Sequence, residues 1–178
     1  MPTTTATTTF KRATACRHAE IWQLLQGAIA RRKADGSKQW QNGYPNPDVV
    51  SADIARGAGF VLEVAPKDGV VVVVGYIALW TNDEPSYTAI DGAWSSAGDF
   101  VVFHRLAVAS AHLGRGYAQH LFDGVEGIAR DLGVASVRAD TNHDNPGMLS
   151  ILAKRGYRHC GVILVRDGPR QAFDLLLP

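Results

Sequence analysis

The amino-acid sequence predicts an α+β (mixed α/β) fold, a central mixed sheet of about seven strands carrying about four helices. Three observations carry that expectation. Short β-branched runs recur along the chain, amphipathic helical patterns interrupt them, and the two do not alternate one for one as in a uniformly wound parallel sheet. With 178 residues, 46% hydrophobic and 20% charged, the chain is large enough to bury one real core. Residues 10–178 are expected to form one domain behind a Thr-rich tail, residues 1–9.

The tail has no apolar face before Phe10, and Thr disfavours a helix, so it reads as a frayed or extended lead into the first strand rather than a transit peptide. Residues 14–33 place Ile21, Leu24, Leu25, Ala28 and Ile29 on one helical face, with Thr14 as the expected cap and Gly36 beyond the end. Gly43, Pro45 and Pro47 make the next stretch a loop that carries Trp40 and Tyr44. A short helix over 48–56 then stops at Gly57. Residues 60–65 and 70–79 flank Pro66-Lys67-Asp68-Gly69, the turn of an antiparallel hairpin. A polar loop over 81–99 holds Trp94. The run 100–108 then reads as a buried strand, apolar except for His104 and Arg105. From Gly114, the spacing of Ala118, Leu121, Phe122, Val125, Ile128 and Ala129 predicts the clearest helix, closed by Gly133. A strand over 134–140, a short helix over 145–154 and strands over 156–165 and 172–177 complete the order.

A formal net charge of +1 without a long Lys/Arg run gives no reason to invoke nucleic acid or an anionic membrane as a partner. Cys16 and Cys160 form no paired or ligand-like motif, which fits a reducing cytoplasm. His18, His112, His120 and His159 fall on different expected elements, so no metal is expected.

The segment Ser110-Ala111-His112-Leu113-Gly114-Arg115-Gly116-Tyr117-Ala118 joins a buried strand to the start of the best helix. Its glycines let backbone N–H groups converge, and the positive end of the helix dipole favours phosphate oxygens; a tight turn that merely packs the helix is the plainer alternative. A dinucleotide fingerprint would need Gly at Gln119, and a Walker loop would need Gly-Lys followed by Ser or Thr, so neither fits.

Leu113-Gly114-Arg115-Gly116-Tyr117-Ala118 resembles the pyrophosphate-binding signature of the GNAT superfamily of N-acetyltransferases, with Leu in place of the usual Gln or Arg. The context agrees: Arg105-Leu106-Ala107-Val108 is similar to the end of that family's fourth strand, and Asn145, Met148 and Gly156-Tyr157 to a later family segment. The resemblance implies a mostly antiparallel sheet splayed between its fourth and fifth strands, with acetyl-CoA entering the wedge. Backbone groups of Leu106, Ala107 and Val108 would hold the pantetheine. Amides of Leu113, Gly114, Arg115, Gly116, Tyr117 and Ala118 would hold the pyrophosphate, and Asn145 would reach the pantetheine side. A homodimer through the C-terminal strands stays open.

The family's usual proton donor, a Tyr, falls on Leu152, and the position where some members carry a Glu base falls on Val102. His104 lies two residues on, on the same expected sheet face, and an imidazole titrates near neutrality, so it is the candidate base; a strand histidine with a structural partner is the alternative. Trp40, Tyr44 and Trp94 are candidate acceptor-groove aromatics. Asp140, with His143 close behind, follows the expected fifth strand, where an acid could meet a cationic acceptor. Tyr157 and Cys160 are expected in the core. The function implied is acetyl transfer from acetyl-CoA to a primary amine by direct attack in a ternary complex; a catalytically silent acyl-CoA-binding module is the alternative.

Overall fold

The structure, a computed structural model, describes residues 7–66 and 69–178. The start of the Thr-rich tail and two residues of the expected hairpin turn, Lys67 and Asp68, lie outside the described residues. In chain order the elements are β1 (Thr7–Arg12), α1 (His18–Ala34), α2 (Pro47–Ala55), β2 (Gly59–Ala65), β3 (Val72–Thr81), β4 (Asp91–Gly92), β5 (Phe100–Val108), α3 (Tyr117–Asp131), β6 (Ser136–Thr141), α4 (Pro146–Lys154), β7 (Arg158–Val165) and β8 (Gly168–Leu176). Single 3-10 turns stand at Ala15–Arg17, Pro85–Ala89 and Ser110–His112.

The strands form one open sheet in the order β1-β2-β3-β5-β6-β8-β7-β4, antiparallel throughout except for β5 against β6. The expected α+β fold with four helices and a mostly antiparallel mixed sheet therefore forms. Its eighth strand, β4, sits inside the segment expected to be a plain polar loop. It can pair with β7 because Gly92 and Gly161 bring two backbones so close that a Cβ on either would overlap a carbonyl oxygen of the other strand.

Local chemistry explains the helix boundaries. Thr14 starts the 3-10 turn before α1 but makes no side-chain cap; its hydroxyl lies 3.0 Å from Cys16 Sγ instead. Asn46 caps α2 by accepting from Val49 N–H, which moves the start back to Pro47. Gly116, at φ 82°, precedes α3, so the helix starts at Tyr117, three residues later than the periodicity suggests. β1 takes in Thr7–Thr9 and pairs with β2.

α3 and α4 cover one sheet face over a core that includes Ile77, Phe103, Leu121, Phe122, Val125 and Leu152. α1 and α2 cover the other over Ile21, Leu25, Val50, Val61 and Tyr76. A third cluster, Tyr87, Val102, Ile163 and Ala172, lies beside the 3-10 turn Pro85–Ala89. No helix among the described residues is long and apolar enough to cross a membrane.

Two features of β5 set the geometry where the sheet opens. Its pairing with β6 runs only from Phe100↔Ser136 to Val102↔Arg138, so the strands part beyond that point, where the family resemblance implied a splay. On the β3 side the register slips between Tyr76↔Ala107 and Ala78↔His104, leaving Arg105 and Leu106 opposite the single residue Ile77. Arg105 takes a left-handed conformation, φ 55°, at this bulge. The alternation inverts across it. Val101 and Phe103 pack under α3 before the bulge, whereas Leu106 and Val108 do so after it.

Candidate functional site

Where β5 and β6 part, a cleft of about 350 Å³ opens, within the range of small-ligand sites. Leu106, Ala107 and Val108 line one wall, Thr141, Asn145 and Met148 the other, and Arg31 and Arg32 of α1 the rim. Beyond Val102 no residue of β5 has a register partner on β6, so this wall offers a strand edge to an extended ligand. One of its acceptors is already engaged: Arg31 Nη2 donates to the Val108 carbonyl at 3.0 Å.

Leu113 and Ala118 reach the lining of the cleft, and Gly114, Arg115, Gly116 and Tyr117 form the turn between them. Gly114 and Gly116 have φ of 73° and 82°, conformations L side chains rarely adopt. Among the described residues no backbone carbonyl accepts from the N–H groups of Gly114 to Ala118. A cluster of unpartnered donors at a helix N-terminus suits a phosphate-bearing ligand, and open space surrounds both glycines. Asn145 Oδ1 accepts from Met148 N–H at 3.2 Å and caps α4, so only the rest of its amide can serve the cleft.

A second cleft of about 420 Å³ meets the first at Tyr44, His104, Asp140 and Arg170. Those four side chains mark the junction. Trp40 lines only the first cleft. Trp94 joins neither. Its Nε1 donates to the Tyr87 carbonyl at 2.9 Å and its ring lies 4.4 Å from the Arg138 guanidinium, beside a separate hollow. Asp140 lies on β6, within the strand expected over 134–140, and its buried carboxylate accepts from Tyr87 (2.9 Å) and Arg170 (3.2 Å). His143 is exposed. Leu152 and Tyr157 are core residues, and Tyr157 packs edge-on against Phe103 and Phe122.

His104 and Val102 share a face: Trp80 packs against the cluster that holds Val102, and its ring centroid lies 5.2 Å from the His104 ring. The imidazole is bracketed by two carboxylates. Nε2 lies 2.9 Å from Glu84 Oε2, in contact but without the alignment of a good hydrogen bond, and Nδ1 lies 3.9 Å from Asp140 Oδ2. Partial burial works against the Glu84 carboxylate, but the adjacent imidazole and the Ser86 hydroxyl and amide outweigh it and hold the acid down at about 2.

The bulge turns Arg105 toward the same side. Its guanidinium lies 4.8 Å from the Trp80 ring, bonds the Tyr44 hydroxyl, and grips Asp53 of α2 with Nη2–Oδ1 at 2.7 Å and Nε–Oδ2 at 3.0 Å. Tyr76 adds its hydroxyl to Asp53 Oδ2 at 2.6 Å. Burial disfavours the Arg105 charge, yet Tyr44 and Asp53 keep its pKa above the usual value. Sequence reasoning noted Arg105 as a polar break in an apolar strand but assigned it no partner. It passed over Asp53, Glu84 and Arg170, of which Glu84 sits in a polar loop with nothing local to single it out.

An open sheet parted at its parallel pair, with a donor-rich loop at one end of the gap and ionisable side chains at the other, has the shape and donors that suit an extended, phosphate-bearing ligand. The chain belongs to the acetyltransferase (GNAT) family, whose model matches residues 27–157. The crystal structure of a GNAT-family acetyltransferase from Streptococcus agalactiae is 31% identical, with 96% of each chain covered and a TM-score of 0.86. A GNAT-family acetyltransferase from Listeria monocytogenes is 17% identical over 96% of this chain and 95% of its own, with a TM-score of 0.73. A chain of the NatC complex bound to Gag peptide and CoA shares the fold at 14% identity and a TM-score of 0.69, over 96% of this chain and 99% of its own. No protein of curated function matches the sequence.

Proposed function

We propose that the protein is an acetyl-CoA-dependent N-acetyltransferase that modifies a primary amine by direct attack within a ternary complex. The observation that carries this reading is the unpaired inner edge of β5, which runs from His104 toward the unpartnered N–H groups of Gly114–Ala118. Acetyl-CoA supplies the activated thioester; family membership and a CoA-bound structural neighbour support it as the acyl donor.

Within this reading the chain's residues divide the work. Leu106 and Ala107 present backbone groups to the pantetheine arm, and the amides from Leu113 to Ala118 receive the pyrophosphate. The acceptor enters through the second cleft as an ammonium and must lose a proton before its lone pair can attack. His104 receives that proton. Glu84, 2.9 Å from Nε2, neutralises the charge the ring gains. Tyr44 accepts a hydrogen bond from Arg105, which leaves its own proton free for donation at the junction. Trp40, Tyr44 and Asp140 border the acceptor, and Trp94 supports the structure from a distance.

Isothermal titration with acetyl-CoA, followed by thiol release over an amine panel, tests the proposal. Absence of binding at millimolar acetyl-CoA overturns it. Binding without turnover on any amine would instead mark a silent acyl-CoA-binding module.

A further inference from the structure

We infer that the acceptor is a zwitterion, a small molecule with a carboxylate close to its primary amine, and that Arg166 recognises the carboxylate. The inference rests on the acetyl-transfer reading above and concerns the second cleft alone.

The charges around that cleft are unevenly paired. Besides His104, its ionisable walls are Glu84, Asp140, Arg166, Asp167 and Arg170. Arg170 is neutralised twice over: Nη1 lies 3.2 Å from Asp140, and Nη2 lies 2.8 Å from both Asp167 oxygens. Glu84 faces His104. Arg166, at the turn between β7 and β8, makes no ion pair among the described residues. The side chain is exposed, and its guanidinium lies 4.7 Å from the centroid of the Tyr44 ring.

The Arg105 guanidinium lies 5.6 Å from the same Tyr44 ring. Arg105 has Asp53 for its counter-charge, whereas Arg166 has none, so this wall presents a surplus positive charge. The opposite wall, where Glu84 and Asp140 bracket His104, favours an ammonium. Arg170 Nε is buried without a partner among the described residues and adds a spare donor beside the junction. An ammonium pole at His104 and a carboxylate pole at Arg166 describe an amino-acid-like molecule, because a guanidinium fork matches a carboxylate bidentately. A diamine would set its second cation against Arg166. Leu164, an exposed apolar side chain on the same hairpin, offers contact for an apolar substituent of the acceptor.

The test uses matched pairs at saturating acetyl-CoA: L-phenylalanine against phenethylamine, and L-lysine against cadaverine, with the amino-acid amides as a third arm. The carboxylate-bearing member is expected to have a KM about tenfold lower, equivalent to about 1.4 kcal/mol. Arg166→Gln should collapse that ratio toward one, chiefly through KM, and Arg166→Glu should invert it in favour of cadaverine. Equal or better use of the decarboxylated amines or the amides by the wild type overturns the inference, as does an Arg166→Glu variant that keeps the wild-type ratio. Titration of the same samples with acetyl-CoA separates the two levels: lost cofactor binding condemns the acetyl-transfer reading, whereas intact binding with the wrong acceptor preference condemns only the zwitterion.

Discussion

Replacing Asp53 by Asn tests the physical link between the bulge in β5 and the site. Asp53 and Arg105 are almost wholly buried, with side-chain exposures of 4% and 6%, and the acid also receives the Tyr76 hydroxyl. The amide keeps the shape but removes the counter-charge, which strands a buried guanidinium. Breaking a buried pair in this way costs about 3–5 kcal/mol. In a chain of this length, that lowers Tm by about 6–20 °C. Arg105 also holds φ 55°, a conformation that costs a non-glycine residue about 1–3 kcal/mol and persists only while its surroundings enforce it. Relaxation of the bulge would shift Leu106, so acetyl-CoA affinity should fall in variant protein that is still folded. Urea denaturation followed by calorimetric titration reads both effects. The paired replacement Asp53→Leu with Arg105→Met removes both charges and should recover most of the stability but not the affinity. A single Asp53→Asn loss below about 1 kcal/mol, or a double variant no more stable than the single, would refute the reasoning.

Gly116→Ala forces a Cβ into a left-handed turn that has open space around it, so its effect is backbone strain of about 1–2 kcal/mol, read as weaker acetyl-CoA binding by titration with little change in the far-UV spectrum. Glu84 is depressed from 4.5 to about 2, so its stabilising contribution is complete above about 4.5 and disappears as pH falls toward 2. Thermal melts of Glu84→Gln should therefore lose less stability than wild type across that acidic window, and parallel curves would disprove the pairing with His104. Gly161→Ala places a methyl group into the Asp91 carbonyl at φ 144° and should detach β4, seen as faster amide exchange at Asp91–Ala93 while β5 and α3 stay protected.

The parts of the fold that were legible are those whose cause is local. Leu121, Phe122, Val125 and Ala129 are all buried on α3 because a 3.6-residue period suffices to place them. Gly57, Gly114, Gly116 and Gly133 all have positive φ because a glycine at a helix boundary announces its conformation. His104, Asp140, Tyr44 and Trp40 were named as site residues, and the structure places all four on the walls of the first cleft. Trp94 was grouped with them on residue type and loop placement, and neither encodes which side of a loop an indole turns to. Asp53 and Glu84 escaped for a different reason. Each gains its meaning from a partner on a distant part of the chain, Arg105 or His104, and no periodicity records such a pairing.

The bulge is where the two kinds of information meet. An uninterrupted alternation along 100–108 would put Arg105 on the face of Val101 and Phe103, against the apolar core beneath α3, where a guanidinium without a partner could not remain. The register slip spares the chain that burial and turns Arg105 toward Asp53 and Tyr44 instead. It also leaves Arg105 and Leu106 together opposite Ile77, beside the gap where β6 has already departed. The polar break at His104-Arg105 was thus the local trace of a long-range arrangement: the irregularity that makes the arginine tolerable lies on the β3 side of the strand, at the level where the departure of β6 frees the other edge for the cleft.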